Sequence, residues 1–418
     1  MTKSLTVKHF GGSIRAQSSK SCMHRALLSA ALSEGESTLL HTDLCRDTEA
    51  TLSCIRALGA HVERTENGTK IGGIADFQRT PSEHLVCHES ASTLRFLIPI
   101  AALFGGGTFL GEGRLFDRPI APIADCFAPH GLTFRREGNR LYLEGKRLSH
   151  GTFHLSPSLS SQFTSGLLLA LPRLEGESEI LLSGNEVSRP YIRMTREIQS
   201  AFGFRSEERE NGYAVRGGQR GHARTYAIEG DWSNAAFFLT AGAIGEHPVT
   251  VSNLSENSLQ GDSAVLRLLC EFGAHTVFEN GSATVSPAAL RGIDVDASDI
   301  PDLVPILSVL AASAVGRTRF FSVSRLRAKE SDRLAAVIEM LSSLGVHAES
   351  DGDVLTVDGR GTLTGGCVDA HNDHRLAMSA AIAAVRAKGD VQIVGAESVS
   401  KSYPAFFEDY ERLTLPLK

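Results

Sequence analysis

The 418-residue chain lacks paired cysteines. It has seven (Cys22, Cys45, Cys54, Cys87, Cys126, Cys270 and Cys367), an odd number with no CxxC pair among them. That pattern argues against a disulfide framework and against a Cys-based zinc site, and it fits a reducing, cytoplasmic setting. A basic excess is also missing. Net charge is −6 at pH 7, so nucleic acid is not an expected partner, although a small anion needs only a local cluster of cations. No apolar run is long enough for a bilayer. The longest, Leu303 to Val315, has 13 residues and includes Pro305, Ser308 and Ser313, against about 20 for a spanning helix. No membrane partner is expected. The first residues, MTKSLTVKHF, show no apolar signal-peptide core, and none is expected. HExxH is absent, and no acidic ligand pattern accompanies the histidines, so no metal is expected.

What is present is a globular composition, 42% hydrophobic and 22% charged, in a chain too long for one ordinary core. Two domains are expected. A repeat organises them. RALGAHVERTENG, FAPHGLTFRREGN, SAFGFRSEERENG, LCEFGAHTVFENG and SSLGVHAESDGD share one layout. An apolar helical run ends at Gly59, Gly131, Gly203, Gly273 or Gly345, at intervals of 72, 72, 70 and 72 residues. Glycine just past a helix is the usual C-cap because it adopts φ > 0. A short alternating strand and an NG, GN or DG hairpin turn follow. Upstream phrases such as SEGESTLLH, GGGTFLGEG and AKGDVQIVG raise the count to six, and one unit reads β–α–β–α–β–β. The sixth copy ends after a helix around Tyr403 to Leu413, without its final hairpin. The N-terminal strand Leu5 to Phe10 is expected to supply part of it. That gives an α/β (α+β) fold of two domains, each of three βαβαββ units: residues 1–16 with 230–418 in one, and 17–229 in the other.

Several polar phrases fall at strand-to-helix turns. Ser18-Ser19-Lys20-Ser21-Cys22-Met23-His24-Arg25 opens an Ala/Leu helix, where backbone N–H groups and the helix dipole favour an anion. Ser158-Leu159-Ser160-Ser161-Gln162 opens another. Taken alone, each serine motif reads first as an N-cap. In Arg325-Leu326-Arg327-Ala328-Lys329-Glu330-Ser331-Asp332-Arg333, a helix would place Lys329 and Arg333 on one face at i, i+4, either for a ligand or as a solvated ion-pair face. His371-Asn372-Asp373-His374-Arg375 caps a very apolar helix. Asp302, in Ile300-Pro301-Asp302, reads as a helix cap or, if it faces a cleft, as a base. Arg118-Pro119-Ile120 and Lys401-Ser402-Tyr403-Pro404 each set a cation beside a proline-started helix. Turns of this kind gathered at one cleft would bind a small ligand carrying several negative charges.

With SLSSQF, VSRPYI, LQGD, IPD, RAKESDRL, NDHRLAM and KSYPAFF in this order, the chain resembles the enolpyruvyl transferase family along nearly its whole length, in the branch that acts on shikimate 3-phosphate. The resemblance implies an inside-out α/β barrel fold with the active site in the cleft between the domains. It implies transfer of the enolpyruvyl group of phosphoenolpyruvate to the 5-hydroxyl of shikimate 3-phosphate, without a cofactor, by a monomer. Lys20, Arg118, Gln162 and Lys401 would hold the phosphate of phosphoenolpyruvate. Arg333 and Arg375 would hold its carboxylate. Ser21 and Arg25 would hold the shikimate carboxylate. Ser160, Ser161, Gln162, Ser188 and Lys329 would surround the 3-phosphate, and Tyr191 would pack beside the ring. Asp302 would bind the attacking hydroxyl and act as base, Glu330 would protonate the methylene carbon, and His374 and Lys20 complete the catalytic set.

Two departures stand out against the usual family pattern. The first motif usually reads PGSKS followed by Asn-Arg; here it is Gln17-Ser18-Ser19-Lys20-Ser21, with His24 before Arg25. Position 91, usually Gly, is Ala91 in Glu89-Ser90-Ala91-Ser92-Thr93-Leu94-Arg95, which implies weaker binding of glyphosate, an occupant of the phosphoenolpyruvate site in this family. Three alternatives remain. The sister transferase acting on UDP-N-acetylglucosamine carries a Cys where this chain has Gly113. An RNA phosphate cyclase with related repeats would fit a more basic surface. A non-catalytic anion-binding relative would have lost residues such as Lys20, Asp302, Glu330 or Arg333, and all four are present.

Overall fold

The computed structural model describes residues 1–6, 9–77, 84–157, 159–184 and 186–414. The chain divides into two compact units, Met1–Gln17 with Glu229–Lys418, and Ser18–Ile228. Each landmark glycine takes the left-handed conformation that ends its helix, with φ of 102° at Gly59, 75° at Gly131, 91° at Gly203, 113° at Gly273 and 79° at Gly345.

The unit Ser18–Ile228 contains three four-stranded sheets of one design. Their orders are Thr225–Ala227, Glu36–Leu40, Gly68–Gly72, His61–Thr65; then Leu85–His88, Gly107–Gly111, Arg140–Gly145, Leu132–Glu137; then Thr152–Leu155, Glu177–Leu182, Gly212–Arg216, Glu207–Arg209. In every case the first pair is parallel and the other pairs are antiparallel. The other unit repeats the design with Gly12–Arg15, Val249–Ser252, Ser282–Ser286, His275–Glu279, and with Asp294–Asp296, Val315–Phe321, Val354–Arg360, Ala348–Asp351. Its third sheet has Gly366–Asp369, Val391–Val394 and Thr2–Leu5.

The sixth hairpin is therefore completed by the N-terminus, but not by Leu5 to Phe10. The pairing strand is Thr2–Leu5, with Leu5 opposite Val391. Phe10 makes a single bridge to Thr414, and Val7 and Lys8 lie outside the described residues. Gly12–Arg15 precedes helix Lys20–Leu32 in the chain yet pairs with Val249–Ser252. Thr225–Ala227 precedes helix Trp232–Ile244 yet pairs with Glu36–Leu40. Two sequence repeats have thus exchanged their first strands.

Each full unit of the repeat contributes one buried helix and one amphipathic helix. The buried ones are Lys20–Leu32, Ala91–Ala102 and Ser161–Ala170 in one unit, and Trp232–Ile244, Val304–Ser313 and His374–Ala383 in the other. Helices apolar on every side are stable only inside a core. The latter three pack against one another. Between Ala91–Ala102 and Ser161–Ala170 the contact depends on Gly166, where an added Cβ would lie 2.6 Å from the carbonyl oxygen of Arg95. Pro99, one turn on, has no N–H to bond that same carbonyl. None of the six buried helices has an acidic residue in its first turn. Their N-terminal dipoles are left for hydroxyls and cations to serve.

Candidate active site

A dense cluster of buried charge lies in the unit Met1–Gln17 with Glu229–Lys418. Its centre is Arg333, the first residue of helix Arg333–Ser343, with a side chain only 1% exposed. Arg333 Nε donates to Asp373 Oδ2 at 2.8 Å, and one terminal nitrogen donates to Asp302 Oδ1 at 2.8 Å. The other donates to Glu330 Oε2 at 2.6 Å and to Asp373 Oδ1 at 3.3 Å. Asp302 also accepts from Lys329 Nζ at 3.3 Å, pairs with Arg375 at 3.2 Å, and gives its backbone carbonyl to Arg375 at 3.1 Å. Asp302, Lys329, Glu330, Arg333 and Arg375 thus form one group.

The local structure that builds this group differs from the helix expected over Arg325 to Arg333. A 3₁₀ turn covers Ser324–Ala328, Lys329 is extended (φ −92°, ψ −157°), and Asp332 caps the next helix by accepting from the Ala335 N–H at 3.1 Å. Lys329 and Arg333 are therefore not i, i+4 neighbours on one helix. Asp332 and Asp302 each offer a better partner than a continuous helix face, and the break turns Lys329, Glu330 and Arg333 toward Asp302. Nor does Asp302 cap a helix. Helix Val304–Ser313 has Leu303 at its N-cap, without a side-chain cap, which leaves the Asp302 carboxylate to three cations.

The motif His371 to Arg375 makes a tight entry to helix His374–Ala383. His371 and Asn372 both take positive φ, 47° and 56°. Asp373 caps the helix by accepting from the Arg375 N–H at 2.9 Å. His374 is buried, its Nδ1 4.0 Å from Asp373 Oδ1. Lys401 ends the 3₁₀ turn Ala396–Lys401, and its Nζ donates to the Asn372 carbonyl at 2.6 Å. Helix Phe406–Leu413 starts two residues after Pro404.

Electrostatics sharpen the group. Burial pushes the Asp302 carboxyl up, but Arg375, Lys329 and Arg333 outweigh it and hold the group well below the usual carboxylate range. Burial lowers the Lys329 ammonium to about 8, against the opposing pull of Asp302. Arg333 is buried at a cost, yet Asp373, Glu330 and Asp302 raise its affinity for its proton above the ordinary value.

The unit Ser18–Ile228 holds a second set. Ser19 caps helix Lys20–Leu32, accepting from the Cys22 N–H at 3.4 Å. Lys20, at the first helical position, donates to Asp47 Oδ2 at 2.9 Å. Buried Arg25 donates to Thr195 Oγ1 at 2.7 Å, to the Ser21 carbonyl at 2.8 Å and to the Tyr191 carbonyl at 3.1 Å, so it ties Ser21 to Tyr191. Burial lowers its pKa to about 10. Ser160 caps helix Ser161–Ala170 through the Gln162 N–H at 3.2 Å. Ser158 lies outside the described residues. Ser188 precedes helix Arg189–Ala201 at φ 54°, a left-handed conformation that costs a residue with a Cβ about 1 kcal/mol and is common at functional sites. Arg118 follows a 3₁₀ turn over Leu115–Asp117, and the helix beyond is Ala121–Phe127. Its early proline is Pro122, not Pro119.

Four residues without an assigned role now have one. Arg95 donates to Gln162 Oε1 at 2.9 Å and to the Pro119 carbonyl at 3.2 Å, and Gln162 donates to Ser92 Oγ at 2.8 Å. Arg95 thereby sets the amide of Gln162 and the loop carrying Arg118. Asp47 holds Lys20. Asp373 holds Arg333. Asp262, in LQGD, is fully buried, accepts from the Ser233 hydroxyl, and is lifted to about 6 by burial, with Arg375 pulling down and Asp302 pushing up. Arg95, Asp373 and Asp262 had no readable signal beyond a charge inside a motif, and Asp47 lies in none of the motifs. Among the described residues, His9, Glu246 and His247 bring possible metal-ligating atoms within 4.8 Å of one another, His9 half-buried and the other two exposed.

Repeated α/β units with cations and hydroxyls at buried helix starts, and a carboxylate at the centre of three cations, have the chemistry suited to small polyanions. The profile described as EPSP synthase (3-phosphoshikimate 1-carboxyvinyltransferase) matches residues 6–410. A 3-phosphoshikimate 1-carboxyvinyltransferase of Clostridioides difficile strain 630 is 38% identical, covering 96% of this chain and 95% of that one. Its counterpart in Clostridium acetobutylicum is 39% identical at the same coverage. The solved EPSP synthase of Acinetobacter baumannii superposes with a TM-score of 0.82 at 26% identity, covering 100% of this chain and 99% of that one. The enolpyruvyl transferase NikO of Streptomyces tendae shares the fold at 17% identity, TM-score 0.78, over 98% and 96%. The chain belongs to the EPSP synthase (3-phosphoshikimate 1-carboxyvinyltransferase) family.

Proposed function

We propose that this chain transfers the enolpyruvyl group of phosphoenolpyruvate to the 5-hydroxyl of shikimate 3-phosphate, giving 5-enolpyruvylshikimate 3-phosphate and phosphate. The observation that carries the reading is the group Asp302–Lys329–Glu330–Arg333–Arg375 inside a family match over residues 6–410. It sets a base, Asp302, and a proton carrier, Glu330, among cations for two anionic substrates. Lys20, Arg118, Gln162 and Lys401 take the phosphate of phosphoenolpyruvate, and Arg333 and Arg375 its carboxylate, where forked donors match planar oxygens. Ser21 and Arg25 take the shikimate carboxylate. Ser160, Ser161, Gln162, Ser188 and Lys329 take the 3-phosphate, with Tyr191 beside the ring. The enzyme works as a cytoplasmic monomer on these small molecules alone. Among the described residues no helix is long and apolar enough to cross a membrane.

Chemistry follows from the charges. Glu330 protonates C3 of phosphoenolpyruvate, which makes C2 electrophilic. The 5-hydroxyl attacks C2 and gives its proton to Asp302. Loss of a C3 proton back to Glu330 expels phosphate, which carries away the hydroxyl proton, and His374 supports the transfers. With three cations on its carboxylate Asp302 is a weak base. Substrate anions that draw Arg333, Arg375 and Lys329 to themselves raise its basicity at the moment of attack. Turnover in D₂O tests the scheme. Addition–elimination places deuterium on the product's vinyl carbon and, through reversal, on recovered phosphoenolpyruvate. A product free of deuterium sinks the addition step.

Lys329 gives a pH signature. Its ammonium titrates at about 8, so the charge available to the 3-phosphate is lost as pH rises through that value. The kcat/KM for shikimate 3-phosphate should fall above pH 8 by up to about tenfold per unit. Lys329→Arg, charged at every working pH, should move that limb upward. An unchanged limb in the variant assigns it to another group. Ala91, the buried first residue of helix Ala91–Ala102, brings a second expectation. Glyphosate should inhibit weakly, and Ala91→Gly should lower its inhibition constant by about tenfold or more, the cost of one methyl overlap in a tight site. Equal constants for the two proteins would remove Ala91 from the account.

A further inference from the structure

His24 is buried on helix Lys20–Leu32, one turn beyond Lys20. Its Nδ1 lies 2.7 Å from Thr51 Oγ1 on helix Arg46–Ala57. Thr51 Oγ1 lies 2.8 Å from Thr93 Oγ1 on helix Ala91–Ala102. Thr93 Oγ1 lies 2.7 Å from Ser90 Oγ, the cap of that helix, and 3.2 Å from the backbone carbonyl of Asp47. With every one of these contacts taken as a hydrogen bond, a single set of directions satisfies them all. A carbonyl only accepts, so the single Thr93 hydroxyl proton points at Asp47. Thr93 must then accept from both Thr51 and Ser90, which uses its two lone pairs. Ser90 Oγ in turn accepts from the Thr93 N–H at 3.3 Å. Thr51, having given its proton to Thr93, can only accept from His24. His24 therefore carries its proton on Nδ1 and leaves Nε2 bare.

The rest of the surroundings agree. Nε2 has no hydrogen-bond partner among the described residues. A bare acceptor there strands no proton, whereas the other tautomer would bury an unmatched N–H and turn the Thr93 proton away from the Asp47 carbonyl. The ring stands edge-on to Phe96 at 6.3 Å between centroids. Burial disfavours a proton on Nε2, and so do the neighbouring cations Lys20 and Arg25, which together hold the imidazole well below its ordinary pKa.

The chain ends on Asp47, whose carboxylate holds Lys20. We propose that neutral His24, as the donor at the head of the chain His24–Thr51–Thr93–Asp47, is a positioning residue that fixes Lys20 and the Ser90–Ala91 helix start relative to each other. The two helix starts so linked are the ones that departures from the family pattern touch, at His24 and at Ala91. The kinetic part of this inference rests on Lys20 binding the phosphate of phosphoenolpyruvate; the tautomer does not.

Two experiments on the full chain decide it. Nitrogen-15 spectra, with His24 assigned by its loss in His24→Asn, should show Nδ1 protonated and Nε2 unprotonated from pH 8 to pH 5.5. An Nε2–H tautomer, or an imidazolium in that range, overturns the proposal. Kinetics supply the second. His24→Leu should raise the KM for phosphoenolpyruvate about tenfold, with kcat and the KM for shikimate 3-phosphate moving less than about threefold, the scale of one lost buried hydrogen bond. His24→Asn, whose Nδ2 stands where Nδ1 stood, should return the KM to within about threefold of the parent. Thr51→Val, which cuts the chain at its middle with little change of shape, should behave as His24→Leu and serves if the leucine variant does not fold. A parental KM for phosphoenolpyruvate in both chain-breaking variants overturns the proposal. A parent protein inert toward phosphoenolpyruvate overturns the functional reading instead and leaves the spectra to decide the tautomer.

Discussion

Glu330→Gln is expected to bind both substrates and to lose about 10²–10⁴-fold in kcat, the range typical of a removed general acid. The amide oxygen of glutamine can still accept from Arg333, as Glu330 Oε2 does at 2.6 Å, so the charged group keeps its geometry. What disappears is the proton for C3 of phosphoenolpyruvate. The change should therefore fall on kcat rather than on either KM, with the melting temperature close to that of the parent. A kcat within threefold of the parent would remove Glu330 from proton transfer and leave it as a partner of Arg333 only.

Arg333→Met is expected to cost about 3–5 kcal/mol of stability, the range for stripping the partner from a buried charge. The reason is Asp373, whose side chain is 0% exposed and which takes two donors from Arg333. Among the described residues its other side-chain contacts include Ser331 Oγ at 3.3 Å, the Arg375 N–H at 2.9 Å and the ring of His374 at 4.0 Å, none of them a match for a guanidinium. Arg333→Lys should fall between the two because it keeps the charge and loses the fork. Urea midpoints of both variants measure this. A methionine variant as stable as the parent would mean that Asp373 finds another partner.

The parts of the fold legible in sequence are those written locally. Gly59, Gly131, Gly203, Gly273 and Gly345 mark helix ends because positive φ is a local demand, and the turns beside them mark hairpins for the same reason. Ser19 and Ser160 cap as their positions predict. Tertiary choices are less legible. No local rule says that Gly12–Arg15 abandons its own repeat to pair with Val249–Ser252, since each strand is equally good in either sheet. Lys329 to Arg333 satisfies a helical pattern, but long-range partners at Asp302 and Asp373 outcompete it. Asp302 sits where a cap belongs and is drawn off by three cations. Asp262 and Arg95 lie in motifs that sequence can flag, while their roles follow only from contacts more than twenty residues away along the chain. The direction of the His24 chain needed every hydroxyl in place before its one consistent proton order could be read.

The most direct test of the whole account is phosphate release when the purified protein meets phosphoenolpyruvate with shikimate 3-phosphate, and in parallel with UDP-N-acetylglucosamine. The account predicts phosphate with shikimate 3-phosphate alone, matched mole for mole by an enolpyruvyl ether at the 5-position. Phosphate with the sugar nucleotide alone, or none from folded protein with either acceptor, would contradict it.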